Sequence, residues 1–198
     1  MATEATLTLV PADAHGQGPR AMGDDDLMKL TAAGSRAAFR ELVGRYQARV
    51  VGVCLRSASC VDEGREIAQE AFVALWQAAP RYRPSGSFPS FLFTIVRNHL
   101  RNSARRRTAA DAHLRAYSKL APAEGEVPLD QMLAAENERR LRVALDELPE
   151  AHRRALQLRF SGELSYDEIA EICDAPVGTV RSWVHHGLKK LRALLGEP

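Results

Sequence analysis

Apolar residues in this chain recur at three- and four-residue intervals, in blocks separated by Pro, Gly and Ser, and the pattern predicts an all-α protein. From Asp24, read as an N-cap, Leu27, Met28 and Leu30 form a short apolar face that Gly34 ends. Ser35 stands where it caps a second helix, in which Phe39, Leu42, Val43, Tyr46, Val50, Val53 and Cys54 make one buried stripe. A third helix is expected behind Asp62 as N-cap, with Ile67, Ala71, Phe72, Leu75 and Trp76 inward and Pro80 as its stop. The loop Arg81-Tyr82-Arg83-Pro84-Ser85-Gly86-Ser87 follows. Ser87 and Pro89 suit the opening of a fourth helix with Phe88, Phe91, Leu92, Ile95 and Val96 on its core side.

The pattern then thins. Between about Thr108 and Asn137 apolar residues are sparse and Pro122, Gly125 and Pro128 interrupt any long helix, so 108–137 reads as an interdomain linker. Periodicity restarts at Leu141, Ala144, Leu145 and Leu148; Pro149 opens another helix at a permitted first-turn position, and Gly162 closes it after Phe160. Ser165-Tyr166-Asp167-Glu168 fits a capping box ahead of Ile169, Ala170 and Ile172. The chain breaks at Cys173-Asp174-Ala175-Pro176, and a last helix runs from about Val177 with Val180, Val184, Leu188 and Leu191 inward. Two helices joined by a tight turn make a helix-turn-helix. The expected organisation is two small helical domains, 23–107 and 138–198, preceded by a flexible tail at 1–22. Met22 offers a second translation start.

Charge sharpens this picture. The 27 Lys and Arg nearly balance 25 Asp and Glu, for a net charge of +2, but they are segregated. Arg97, Arg101, Arg105, Arg106 and Arg107 occupy one acid-free stretch, and Arg181, Lys189, Lys190 and Arg192 another, while acids gather at Asp24 to Asp26 and between Glu124 and Glu150. Arg97, Arg101 and Arg105 repeat every four residues and so share one helical face, a like-charged ladder that asks for an anionic partner. Either cluster alone is equally a solvated helix face. On the last helix Thr179, Arg181, Ser182, His185, His186 and Lys189 lie off the apolar stripe. In a helix-turn-helix such positions near the helix start reach base edges, and more distal cations meet phosphates.

Other chemistries find little support. Cys54, Cys60 and Cys173 form an odd set without zinc spacing, which points to a reducing compartment and small core residues. His185 and His186 diverge by about 100° on a helix and lack a third ligand, so no metal or other cofactor is expected. There is no signal-peptide pattern and no run of about 18 apolar residues. There is also no Gly-rich phosphate loop or nucleophile elbow, so a hydrolase or transferase is disfavoured.

Leu145-Asp146-Glu147-Leu148-Pro149-Glu150, Leu164-Ser165-Tyr166-Asp167-Glu168-Ile169-Ala170 and Pro176-Val177-Gly178-Thr179-Val180-Arg181-Ser182 resemble region 4 of extracytoplasmic-function (ECF) sigma factors of bacterial RNA polymerase. Ala38-Phe39-Arg40-Glu41-Leu42, Gln69-Glu70-Ala71-Phe72-Val73-Ala74-Leu75-Trp76 and Phe91-Leu92-Phe93-Thr94-Ile95-Val96-Arg97-Asn98 resemble region 2. Together these matches span most of 24–107 and 138–195. The resemblance implies a cytoplasmic, non-catalytic protein with three partners: core RNA polymerase, through its beta-prime clamp helices and beta flap; promoter DNA; and an anti-sigma factor, commonly membrane-anchored. It places Glu66, Gln69 and Glu70 on the polymerase-facing surface. Tyr82, the following loop with Arg83, and Asn98 would capture a flipped-out base of the -10 element, while the last helix reads the -35 element as duplex. Trp183 and His186 depart from the basic residues that relatives often carry there. The rival reading is a stand-alone helix-turn-helix regulator, which needs a sensor or dimerisation domain that 39–107 does not resemble.

Overall fold

The computed structural model describes residues 21–84, 87–114 and 139–196, and every regular element among them is helical. The first half comprises α1 (Asp24–Ala32), α2 (Arg36–Ser57), α3 (Val61–Ala78), a 3₁₀ turn at Ala79–Arg81 and α4 (Phe88–Leu114). The second comprises α5 (residues 139–146), α6 (Glu150–Phe160), α7 (Tyr166–Cys173) and α8 (Val177–Leu195). All-α architecture with a C-terminal helix-turn-helix is thus the fold.

Several helix ends are capped as the sequence indicates. Ser35 accepts from the Ala38 amide at 3.3 Å, and Gly34, at φ +91°, turns the chain between α1 and α2 in a conformation that favours glycine. Ser87 accepts from the Ser90 amide at 3.2 Å. Two expected caps shift. Gly23, not Asp24, precedes α1, because the Asp24 carboxylate is taken by Arg45 Nη1 at 2.8 Å and the Tyr46 hydroxyl at 2.5 Å. Cys60, not Asp62, precedes α3, leaving Asp62 in the first turn, where its charge complements the helix N-terminus. Pro149 sits at the N-cap of α6, one place before the expected first turn. Helix α4 also runs seven residues past Arg107, since no Pro or Gly interrupts it before Pro122. The rest of the expected linker, 115–137, and residues 1–20 of the tail lie outside the described residues.

Leu42, Val50, Val53, Cys54, Ile67, Ala71, Leu75, Phe88, Leu92 and Val96 are buried as expected, with Phe39, Phe72, Trp76, Phe91 and Ile95 half-buried against them. That core does not stop at the first half. It continues into Leu158, Leu164, Ile169, Ile172 and Val180, and a smaller cluster of Leu145, Leu148, Ala155, Leu156 and Val184 completes the second half. Helix α7 packs on α4, and polar contacts reinforce the seam. Arg49 Nε donates to the Gly162 carbonyl at 2.6 Å, Ser57 to Gln157 at 3.0 Å, and Ser87 to Glu168 at 2.9 Å.

Candidate nucleic-acid interface

The helix-turn-helix is built from local chemistry. After α6, the Gly162 position has no room for a side chain, because a Cβ there would lie 2.6 Å from the Leu158 carbonyl oxygen. Ser165 and Glu168 then form both halves of a capping box, the serine oxygen taking the Glu168 amide at 3.2 Å and the glutamate taking the Ser165 amide at 2.8 Å. Helix α7 ends in left-handed Asp174 (φ 52°), an acceptable residue there because a short polar side chain tolerates that region. Pro176 precedes α8, so the turn is three residues long.

Val180 and Val184 are buried with Gly187, and Leu188 and Leu191 are half-buried, which sets the register of α8. Its opposite surface presents Arg181, Ser182, His185, His186 and Lys189 to solvent, with Arg192 a further turn on and Thr179 half-buried at the start. The His185 and His186 rings meet edge to face at 5.2 Å. Arg181 lies 5.5 Å from the Tyr166 ring centre, which steadies the guanidinium without consuming its donors. Trp183 is not part of this surface: it is half-buried and packs against both core clusters. Its departure from a basic residue is therefore a packing matter.

In the first half the arginine ladder is divided. Arg101 and Arg105 are exposed on α4, as is Arg106. Arg97 instead donates from Nη1 to the Ile172 carbonyl at the end of α7, and its Nε is buried without a partner among the described residues. Arg107 is held by Glu63, which also takes the Ser103 hydroxyl and the Ser59 amide. Burial alone would raise the Glu63 carboxyl, but the hydrogen bonds from Ser103, Ser59 and Arg107 outweigh it and bring the pKa from 4.5 to about 2. The acid-free stretch of sequence thus has its acid in space.

Tyr82 does not project as a free aromatic. It is buried against Phe88 and Phe91 and its hydroxyl donates to Asp25 at 2.5 Å. Arg83 is exposed and folds back onto the Tyr82 carbonyl at 2.9 Å. Asn98 is exposed two turns along α4 from Phe91, about 10 Å at the helical rise, so Tyr82 and Asn98 are not drawn together here. On α3, Glu66 and Gln69 are exposed, while Glu70 lies 3.1 Å from His99 Nδ1. Sequence reasoning missed Arg142, Arg153 and Arg154, whose segment also carries Asp146 and Glu150 and so reads as charge-balanced.

Comparison with known proteins meets this geometry. The family model for Sigma-70 region 2 matches residues 42–110, and that for Sigma-70 region 4 matches residues 138–191, the stretch holding the helix-turn-helix. The RNA polymerase sigma-H factor of Pseudomonas aeruginosa is 33% identical, over 88% of this chain and 96% of that one. The chain belongs to the sigma-70 family, among its ECF sigma factors. The ECF RNA polymerase sigma factor SigW of Bacillus subtilis is 29% identical, over 85% of this sigma factor and 94% of that one. The fold agrees with CnrH in complex with the cytosolic domain of CnrY, at a TM-score of 0.68 and 22% identity, covering 87% of this chain and 97% of CnrH. It agrees also with RpoE of Bartonella quintana in complex with the anti-sigma factor NepR, at 0.63 and 21%, covering 80% and 96%. No described helix is long and apolar enough to cross a membrane.

Proposed function

We propose that this sigma factor directs core RNA polymerase to promoters through two DNA-reading surfaces, one on each of the regions 23–107 and 138–198, and performs no catalysis itself. The observation that carries the reading is the outward face of α8. Arg181, Ser182, His185 and His186 stand exposed near the start of the second helix of a helix-turn-helix, where such residues meet base edges, with Thr179 beside them. Lys189 and Arg192, further along, meet phosphates. Arg97, Arg101 and Arg105 meet backbone phosphates upstream of the start site. Tyr82, Arg83 and Asn98 capture an extruded -10 base, which requires Tyr82 to leave Asp25 and turn its ring outward. Glu66, Gln69 and Glu70 face the polymerase.

Restraint by an anti-sigma factor, in the cytoplasm or at the inner membrane, is supported by the similar folds solved with such partners. The stand-alone regulator is disfavoured because region 2 fills the place a sensor domain would take. The test is transcription in vitro with core enzyme and this chain on genomic DNA, followed by sequencing of the transcripts. New start sites sharing upstream elements are expected. The reading fails if the transcripts match those of core enzyme alone, or if the chain does not co-purify with core enzyme.

A further inference from the structure

A cleft of about 520 Å³ opens between the two halves. From the first half it is lined by Arg56, Arg97, Arg101 and Arg107, and from the second by Arg142, Arg153 and Arg154; Val53, Val96 and Leu158 form its apolar floor. Among the described residues two carboxylates line it, and both are already engaged, Asp146 by Arg153 at 3.1 Å and Glu150 by Arg154. Arg107 is held by Glu63. Arg56 and Arg101 have no ion-pair partner among the described residues, Arg142 reaches only the Ser59 carbonyl at 3.5 Å, and the Arg97 Nε is buried and unbonded. Four guanidinium groups without a carboxylate partner among the described residues, Arg56, Arg97, Arg101 and Arg142, are brought to one cavity from opposite walls and repel one another most with the halves closed.

We propose that this cleft binds a compact oligophosphate anion that bridges the two halves. The volume lies within the roughly 300–1,000 Å³ of small-ligand sites and is far too small for a duplex. Guanidinium forks converging from two sides match phosphate oxygens, which carry several charges within a few ångströms. Peptide carboxylates come one to a side chain along an extended backbone and match such a cavity poorly. No aromatic residue among the described residues lines the cleft, so the phosphates rather than a base are read. The site is distinct from the α8 surface, shares Arg97 and Arg101 with the proposed phosphate-contacting face of α4, and is tested without polymerase or promoter.

The test is isothermal titration calorimetry of the full chain, near physiological salt, with tripolyphosphate, ATP, adenosine and octaglutamate. Tripolyphosphate and ATP are expected to bind saturably, one per chain, and adenosine not at all. Equal affinities for the two are expected, because the phosphates alone are read; ATP binding about tenfold or more tightly than tripolyphosphate contradicts that. Arg56→Gln and Arg142→Gln, one from each wall, should each weaken binding about tenfold, the loss of one charge-assisted hydrogen bond. Arg36→Gln, on the exposed start of α2, should leave it unchanged, and unliganded melting temperatures confirm that all three variants fold. The proposal is overturned if no one-to-one binding occurs, if Arg36→Gln costs as much as the cleft variants, or if octaglutamate binds more tightly than tripolyphosphate.

Discussion

Glu63→Gln isolates the contact that fastens the start of α3 to the far part of α4. The carboxylate collects the Ser59 amide at 2.7 Å, the Ser103 hydroxyl and the Arg107 guanidinium, with the side chain only 16% exposed. Lowering its pKa from 4.5 to about 2 corresponds, at about 1.4 kcal/mol per unit, to roughly 3 kcal/mol of stability. Glutamine keeps the shape but loses the charge and presents an amide donor to groups that are themselves donors, so a loss of about 2–3 kcal/mol is expected at neutral pH. The sign follows from the direction of the shift. A carboxyl with a lowered pKa stabilises fully above its unfolded value of 4.5, and that contribution fades as pH falls toward 2. Urea unfolding followed by circular dichroism at pH 7, 4.5 and 3 should therefore show wild type and variant converging at low pH. A deficit under about 0.5 kcal/mol at pH 7, or one that stays constant across the three pH values, refutes the account.

Three further outcomes are expected. Arg181→Ala should relax selectivity at one or two base pairs of the -35 element by about 1–3 kcal/mol while binding to core enzyme survives; an unchanged preference across a set of element variants removes Arg181 from the reading surface. Arg101→Ala and Arg105→Ala should weaken promoter binding about uniformly across sequences and each reduce the salt slope by about one, whereas altered promoter choice at an intact slope contradicts a phosphate role. Gly162→Ala should cost about 1–3 kcal/mol in denaturant unfolding, because its Cβ meets the Leu158 carbonyl; a neutral result means the turn relaxes freely.

The sequence made the helices legible because each carries a stripe at helical spacing and several starts carry their own cap, as at Ser35, Ser87 and the Ser165–Glu168 box. It misplaced Asp24 and Asp62 because an acid before an apolar run reads the same whether it caps or sits in the first turn. Asp24 was claimed by Arg45 and Tyr46, 21 and 22 residues on, which no local pattern reveals. Phe93 is fully buried yet lies outside the stripe of Phe88, Leu92 and Val96. The run Phe91-Leu92-Phe93 is wider than one stripe, and that was the available sign that α4 is covered on two sides. The α8 surface was readable from periodicity alone. Tyr82 and Arg97 were not, since their partners Asp25 and Ile172 are distant in the chain.

The hydrogen bond from Arg97 to the Ile172 carbonyl bears on how promoters are searched. If Arg97 contacts a DNA phosphate as proposed, its Nη1 cannot also stay on that carbonyl, so closure of the halves and DNA contact compete for this donor. On that reading the free chain should bind DNA more weakly than its open form by the fraction of time it is open. Parting the halves also exposes a core that runs through both, so the equilibrium opposes opening until another surface holds them apart. A chain arranged in this way should bind promoter DNA weakly while its halves stay closed. On the proposed function, a partner that holds the halves apart would free Arg97 for DNA and shift the chain toward its DNA-binding form.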